Sequence, residues 1–230
     1  LGEHHRLRDD MLEPEQRVSY DPVSKVLQNS LVWVQLADDG TIARLKLKET
    51  DSDLFGSEGG NRFLLYEDKP YAWDAWDISG YYRQTKPEQA RLLERIVCSS
   101  SPVRVEIGQT FAIGASRIVQ TISLEAWCAT VRMDCHVQWA ENHKMLKVSA
   151  EPACEPPTAT YGIQFGTVER PVSRNTAWEE AKFETCAHQF ATIGDGRHGL
   201  ALLDDCKYGH RIQDGVMELT LLRSPLNPDP

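Results

Sequence analysis

The densest concentration of potential chemistry in the chain is Tyr71-Ala-Trp-Asp-Ala-Trp-Asp77, where Asp74 and Asp77 flank Trp76. Aromatic faces stack on the apolar faces of pyranose rings, and carboxylates accept protons from sugar hydroxyls. Glycoside hydrolysis also needs two carboxyl groups a few ångströms apart. The simpler reading of the same residues makes the tryptophans core anchors and the aspartates turn caps. A second acidic stretch, Asp204-Asp205-Cys206-Lys207-Tyr208-Gly209-His210, sets carboxylates beside a lysine and a histidine. Such a set suits general acid–base work, or more simply a polar turn after a buried strand Leu200-Ala-Leu-Leu203.

Other catalytic patterns are missing. None of the seven histidines forms H-x-H or H-x-x-x-H, so zinc-ligand spacing is absent and no metal site is expected. His4-His5 reads as part of a solvated tail. There is no G-x-S-x-G, and no cysteine sits in a local nucleophile signature. Gly56 to Gly60 is glycine-rich, but no phosphate-loop lysine follows it.

Composition narrows the class. Hydrophobic residues are 41% and charged residues 26% of the 230, the balance of a soluble globular domain. A net charge of −9 argues against a nucleic-acid partner. No apolar run approaches the roughly 20 residues of a membrane span, so no membrane partner is expected. The opening Leu1-Gly-Glu-His-His has no secretory layout and reads as the cut end of a fragment. Scattered cysteines without C-x-x-C fit a reducing cytoplasm.

The elements that must position these groups read as strands. Residues 1–25 are polar and aperiodic at first, a lead-in segment, mobile or helical, ahead of a domain at 26–230. Leu31–Leu36 and Thr41–Lys48 form a predicted hairpin, with Gly40 supplying the left-handed turn angle. Ala129–Trp139 alternates strictly, and Val131, Met133, Cys135, Val137 and Trp139 are expected to face a core. Further predicted strands are Val103–Ile107, Arg117–Leu124, Met145–Ser149, Tyr161–Phe165, Leu200–Leu203 and Val216–Leu222. Lys86–Val97 fits either a short helix or an edge strand. Many short strands with few helices predict a mainly β, antiparallel sandwich.

Several stretches then carry a family resemblance. Gly60-Asn-Arg-Phe-Leu-Leu-Tyr-Glu-Asp-Lys-Pro-Tyr-Ala-Trp-Asp-Ala-Trp-Asp-Ile78 resembles the segment after the barrel and helical domains of glycoside hydrolase family 38 α-mannosidases. Ala159–Pro171, Asn175–Trp178, Ala181–His188, Leu202–Gly209 and Leu221–Asp229 are similar to later motifs of that family, in family order. The cytosolic type of these enzymes, which trims free oligomannosides, resembles the chain most.

The resemblance implies a galactose-mutarotase-like supersandwich, which favours the strand reading of Lys86–Val97. It implies a parent enzyme that is a retaining exo-α-mannosidase, with zinc and a nucleophilic aspartate in an N-terminal barrel absent from this chain, so that no catalytic residue is expected here. It also implies that the final strands are truncated. The expected partners are that catalytic domain and a mannose-containing oligosaccharide. Arg223 resembles a family arginine that reaches the sugar-binding region, and a surface strand-end arginine is an equal reading. Asn61, Asp74 and Asp77 are weaker substrate-binding candidates that can instead order the barrel interface. Asp204 departs from the family's usual Asn. Two other readings stay open: a stand-alone carbohydrate-binding module displaying Tyr71, Trp73, Trp76 and Tyr81, and a mutarotase-like epimerase using His136 and Glu141.

Overall fold

The computed structural model describes residues 12–225. Strands β1 (Ser19–Asp21), β2 (Val26–Gln28), β3 (Val32–Leu36), β4 (Ile42–Leu47) and β5 (Ser52–Asp53) form one sheet in chain order. Strands β6 (Arg62–Glu67) and β7 (Glu88–Gln89) open a second sheet. A meander follows, of β8 (Arg91–Ser100), β9 (Arg104–Ile113), β10 (Ser116–Glu125) and β11 (Arg132–Gln138). After β12 (Lys144–Ala150) come β13 (Thr158–Ile163), β14 (Gly166–Pro171), a single helical turn α1 (Ala177–Glu180) and β15 (Thr185–Cys186). The last described strands are β16 (Phe190–Gly194), β17 (Gly199–Leu203), β18 (Gly209–Gln213) and β19 (Val216–Arg223).

The second sheet is the centre of the molecule, with order β15-β18-β19-β12-β6-β7. One of its faces packs on the meander through Phe63, Leu65 and Leu146 against Phe111, Ile113 and Ile118. The first sheet covers the other end of the meander, where Leu27, Val34 and Ile42 meet Val105, Ile107, Ile122 and Leu124. The fourth sheet, β14-β13-β16-β17, packs Tyr161, Ala191 and Ile193 on Ile212 and Met217. Every strand pair in these ladders is antiparallel, as for β6 with β12 and β12 with β19. The fold is thus mainly β and antiparallel, as expected.

The predicted hairpin is β3–β4, with Val32, Val34 and Leu36 buried in alternation. Gly40 has φ +92, and a Cβ there would stand 2.4 Å from the Phe111 ring. The turn therefore needs glycine both for its backbone angle and for its close approach to the meander. The ambiguous stretch is extended, as β7 and β8, with register shifts at Leu92/Glu94 and Val97/Ser99. Those bulges are why its apolar residues settle on no period.

Two expectations are corrected. The alternating segment is a strand, β11, and Met133, Cys135 and Val137 lie opposite the buried Ile122, Gln120 and Ile118. It is nevertheless the outermost strand of the meander, so Met133 and Cys135 are exposed, whereas Val131, Val137 and Trp139 are half-buried and pack against the cores as expected. Alternation reveals which face points inward but not how far the covering sheet reaches. Leu200–Leu203 is likewise an edge, β17, with Leu203 exposed rather than buried. Of the lead-in segment, residues 1–11 with His4-His5 lie outside the described residues. Residues 12–25 include β1, and Val18 joins the first core.

Candidate functional site

Strand β6 runs out at Glu67, and the next residue, Asp68, is buried with its amide donating 2.8 Å to the His143 carbonyl. The chain then leaves the sheet and turns on Trp73, whose φ of +60 is left-handed and costly for a bulky side chain. The amides of Trp76 and Asp77 both donate to the Trp73 carbonyl, at 2.8 and 3.0 Å. The 3-10 turn Gly80–Gln84 follows, its Ser79 cap accepting from the Tyr81 amide.

Arg223, at the end of β19, holds this excursion down. Its Nε donates to Asp68 Oδ2 at 2.7 Å and its Nη2 to Asp68 Oδ1 at 3.1 Å. The same Nη2 donates to the carbonyls of Asp77 at 2.7 Å and Asp74 at 3.3 Å. A planar fork on a buried carboxylate fixes orientation in a way one ammonium cannot. His143 Nδ1 approaches Asp74 Oδ2 at 3.7 Å, and the Asp77 carboxylate accepts from the Ile78 amide at 2.8 Å.

The latch displays four aromatic residues to solvent: Tyr71, Trp73, Trp76 and Tyr81 are 102%, 63%, 75% and 70% exposed. The tryptophans are therefore not core anchors. Trp178 on α1 is exposed too, and its helix borders the same ledge because Glu180 pairs with Arg83 at 2.5 Å. Single exposed aromatics are ordinary, whereas here several gather on one segment.

Beneath the ledge lies a polar layer that the residue patterns did not reveal. Lys147, fully buried on β12, pairs with Glu184 and stands 3.9 Å from Glu218. Tyr82 donates to Glu184, Tyr66 donates to Glu218 at 3.0 Å, and Arg211 reaches Glu218 at 3.2 Å. Burial, reinforced by the neighbouring carboxylates, pushes both tyrosine hydroxyls far above the ordinary phenol range. Burial opposes the charge on Arg211, but Glu218, Tyr82 and Asp214 together more than offset it. The available signal was the pattern Met145, Lys147, Ser149, in which a lysine occupies an inward position of a strand.

The structure thus brings Arg223, Asp74 and Asp77 together and adds Asp68. Asn61 lies elsewhere. Seven residues of extended chain, about 23 Å at ~3.3 Å per residue, separate it from Asp68. It is buried, with φ +59, and exchanges two hydrogen bonds with the Gln120 amide at 2.8 and 2.9 Å. His136 and Glu141 do not converge. His136 lies opposite Val119, whereas Glu141 accepts from the Ala115 amide and Ser116 Oγ at the β9–β10 turn. Among the described residues, no group of three or more His, Cys, Asp or Glu is placed to hold a metal ion. No described helix is long and apolar enough to cross a membrane.

An antiparallel β assembly with an exposed aromatic and acidic ledge defines a mainly β domain. Residues 27–230 match the family model described as the glycosyl hydrolases family 38 C-terminal domain, and the chain belongs to that family. It is 37% identical over 210 residues to alpha-mannosidase 2C1 of Mus musculus and of Homo sapiens, covering 90% of this chain and 20% of each relative. Alpha-mannosidase G of Dictyostelium discoideum is 32% identical over 213 residues, 89% of this chain and 19% of that protein. The chain therefore spans about a fifth of the length of these relatives. The crystal structure of an alpha-mannosidase from Enterococcus faecalis V583 shares the fold, with a TM-score of 0.77 at 13% identity over 93% of this chain and 27% of that one.

Proposed function

We propose that the chain is the non-catalytic C-terminal sandwich region of a retaining exo-α-mannosidase acting on terminal α-mannosyl residues, and that its aromatic ledge seats the catalytic region. One observation carries this reading: four large aromatics stand exposed on a segment whose Asp74 and Asp77 carbonyls are tied by Arg223 to the buried Asp68. Ordering a loop costs conformational entropy, and an internal fork that meets that cost to display aromatics suits a permanent partner.

In this reading the nucleophile, the acid–base carboxyl group and a zinc ion belong to the catalytic region. Among the described residues, no three or more His, Cys, Asp or Glu are placed to hold such an ion. Arg223 acts mainly as a positioning residue. Its Nε and Nη2 are engaged, which leaves Nη1 for a substrate oxygen. Asp74 and Asp77 face the same partner or its sugar, and Asn61 contributes through the fold. The domain takes in residues 26–230, with a galactose-mutarotase-like supersandwich as its architecture. Six free cysteines favour the cytoplasm.

The test is association of this chain with the separately produced catalytic region of its parent enzyme. Tight binding that weakens at least about tenfold in Trp73→Ala/Trp76→Ala is expected, since buried aromatic anchors dominate interfaces. Undiminished binding in that variant would remove the ledge from the interface. Sugar binding at the ledge by the chain alone would favour the carbohydrate-binding-module reading.

A further inference from the structure

Away from the ledge, the fourth sheet carries a cleft of about 360 Å³ walled by His188, Gln189, Phe190, Asp204, Asp205 and Tyr208. That volume lies within the range of small-molecule sites. The walls are tied by backbone bonds: His188 donates to the Gly162 carbonyl at 2.8 Å and Asp204 to the Gln189 carbonyl at 2.9 Å. Gly162 permits the first approach, because a Cβ there would stand 2.3 Å from the His188 carbonyl oxygen. Gln189 has φ +69, and Phe165, beside the mouth residue Gly166, has φ +60.

The polar groups are held in fixed positions. Asp204 is almost wholly buried. It accepts from the Lys207 amide at 2.8 Å and faces the buried His210 Nε2 at 3.4 Å. The His188 and Tyr208 rings meet edge to face at 5.3 Å between centroids. Asp205 and Tyr208 remain exposed, so a carboxylate and a phenol ring are both available at the opening.

This chemistry selects a ligand class. Two carboxylates disfavour anions, and the acids and histidine are not grouped as a cation would need. A neutral polyol fits: Asp205 accepts from adjacent hydroxyls, Gln189 both donates and accepts, and Phe190 and Tyr208 offer flat apolar faces. We propose that this cleft is a binding site for a neutral hexose unit, separate from the aromatic ledge. Only the choice of mannose as the hexose rests on the α-mannosidase reading.

The experiment is a titration of the 15N-labelled chain with methyl α-D-mannopyranoside, followed by amide shifts. Saturable shifts are expected at residues 162–166, 188–190 and 204–208. Asp205→Asn should weaken binding about tenfold, the scale of one hydrogen bond to a charged group, and Tyr208→Ala should weaken it through the lost ring face. Gly166→Leu should also weaken it, because a Cβ there meets nothing within 4 Å and added bulk enters open space without disturbing the fold. Trp76→Ala should bind like the parent chain. Absence of saturable shifts with the mannoside and equally with methyl α-D-glucopyranoside and methyl α-D-galactopyranoside, shifts confined to residues 71–81, or unchanged affinity in both Asp205→Asn and Tyr208→Ala would each overturn the proposal, whereas saturation by another hexoside alone would support the cleft and remove only the choice of mannose. None of these results depends on association with a catalytic region, so the two readings fail separately.

Discussion

Arg223 and Asp68 lie 155 positions apart and form the tie on which the ledge depends. Removing the guanidinium leaves the Asp68 carboxylate buried without its partner, which typically costs about 3 kcal/mol when a pair is largely desolvated. Arg223→Ala should therefore lower the urea midpoint and increase hydrogen exchange at residues 71–78. Arg223→Lys should recover only part, because an ammonium cannot span both carboxylate oxygens and two carbonyls. A double variant with Asp68→Ala should be less destabilised than the sum of the singles. Asn61 is tested in the same way. Asn61→Ala strips Gln120 of its reciprocal partner and places alanine at φ +59, so a loss of about 1–3 kcal/mol is expected by urea unfolding.

Elements differ in how much a change within them matters. On β11, Met133 is exposed although its face points inward, so Met133→Lys should shift stability by no more than about 0.5 kcal/mol. Its neighbour across the ladder, Ile122, is fully buried, and Ile122→Ala should cost about 2–5 kcal/mol. Strand β18 carries a pH dependence. Burial is the main cause holding the His210 pKa below its ordinary value of 6.5, even with Asp204 nearby. Below pH 6.5 the unfolded chain takes up a proton that the folded histidine resists, so this contribution to stability is full above that pH. It is lost progressively as pH falls through the lowered folded value. Thermal melts of the parent chain and His210→Gln should diverge less as the pH drops from 7 toward the acid range.

Residue patterns reached the strands because their signals are local. Gly40 between two apolar runs, alternation in 131–139 and apolar runs bounded by Gly and Pro each act over a few residues. Sheet order is not local, so nothing in 129–139 distinguishes an edge strand from a central one. The ledge was half legible. Its tryptophans and aspartates stood out by type, but their exposure depends on Asp68, on a left-handed Trp73 and on an arginine from the last described strand. The Lys147, Glu184 and Glu218 layer was hidden because its members come from distant segments and only the fold makes them neighbours.

At the scale of the whole molecule, the chain is a family 38 C-terminal domain that spans about a fifth of its relatives. Four of its exposed aromatic side chains, Tyr71, Trp73, Trp76 and Tyr81, stand on one segment that Arg223 ties to the sheet. In the proposed function, support and catalysis lie in separate regions of the parent enzyme. The most direct test is hydrolysis of an aryl α-mannoside by the purified chain, with and without added Zn²⁺ or Co²⁺ and alongside metal analysis. The account predicts no turnover above a mock preparation and no stoichiometric metal. Metal-dependent turnover by the chain alone would contradict it and return Asp74, Asp77 and Asp205 to consideration as catalytic groups.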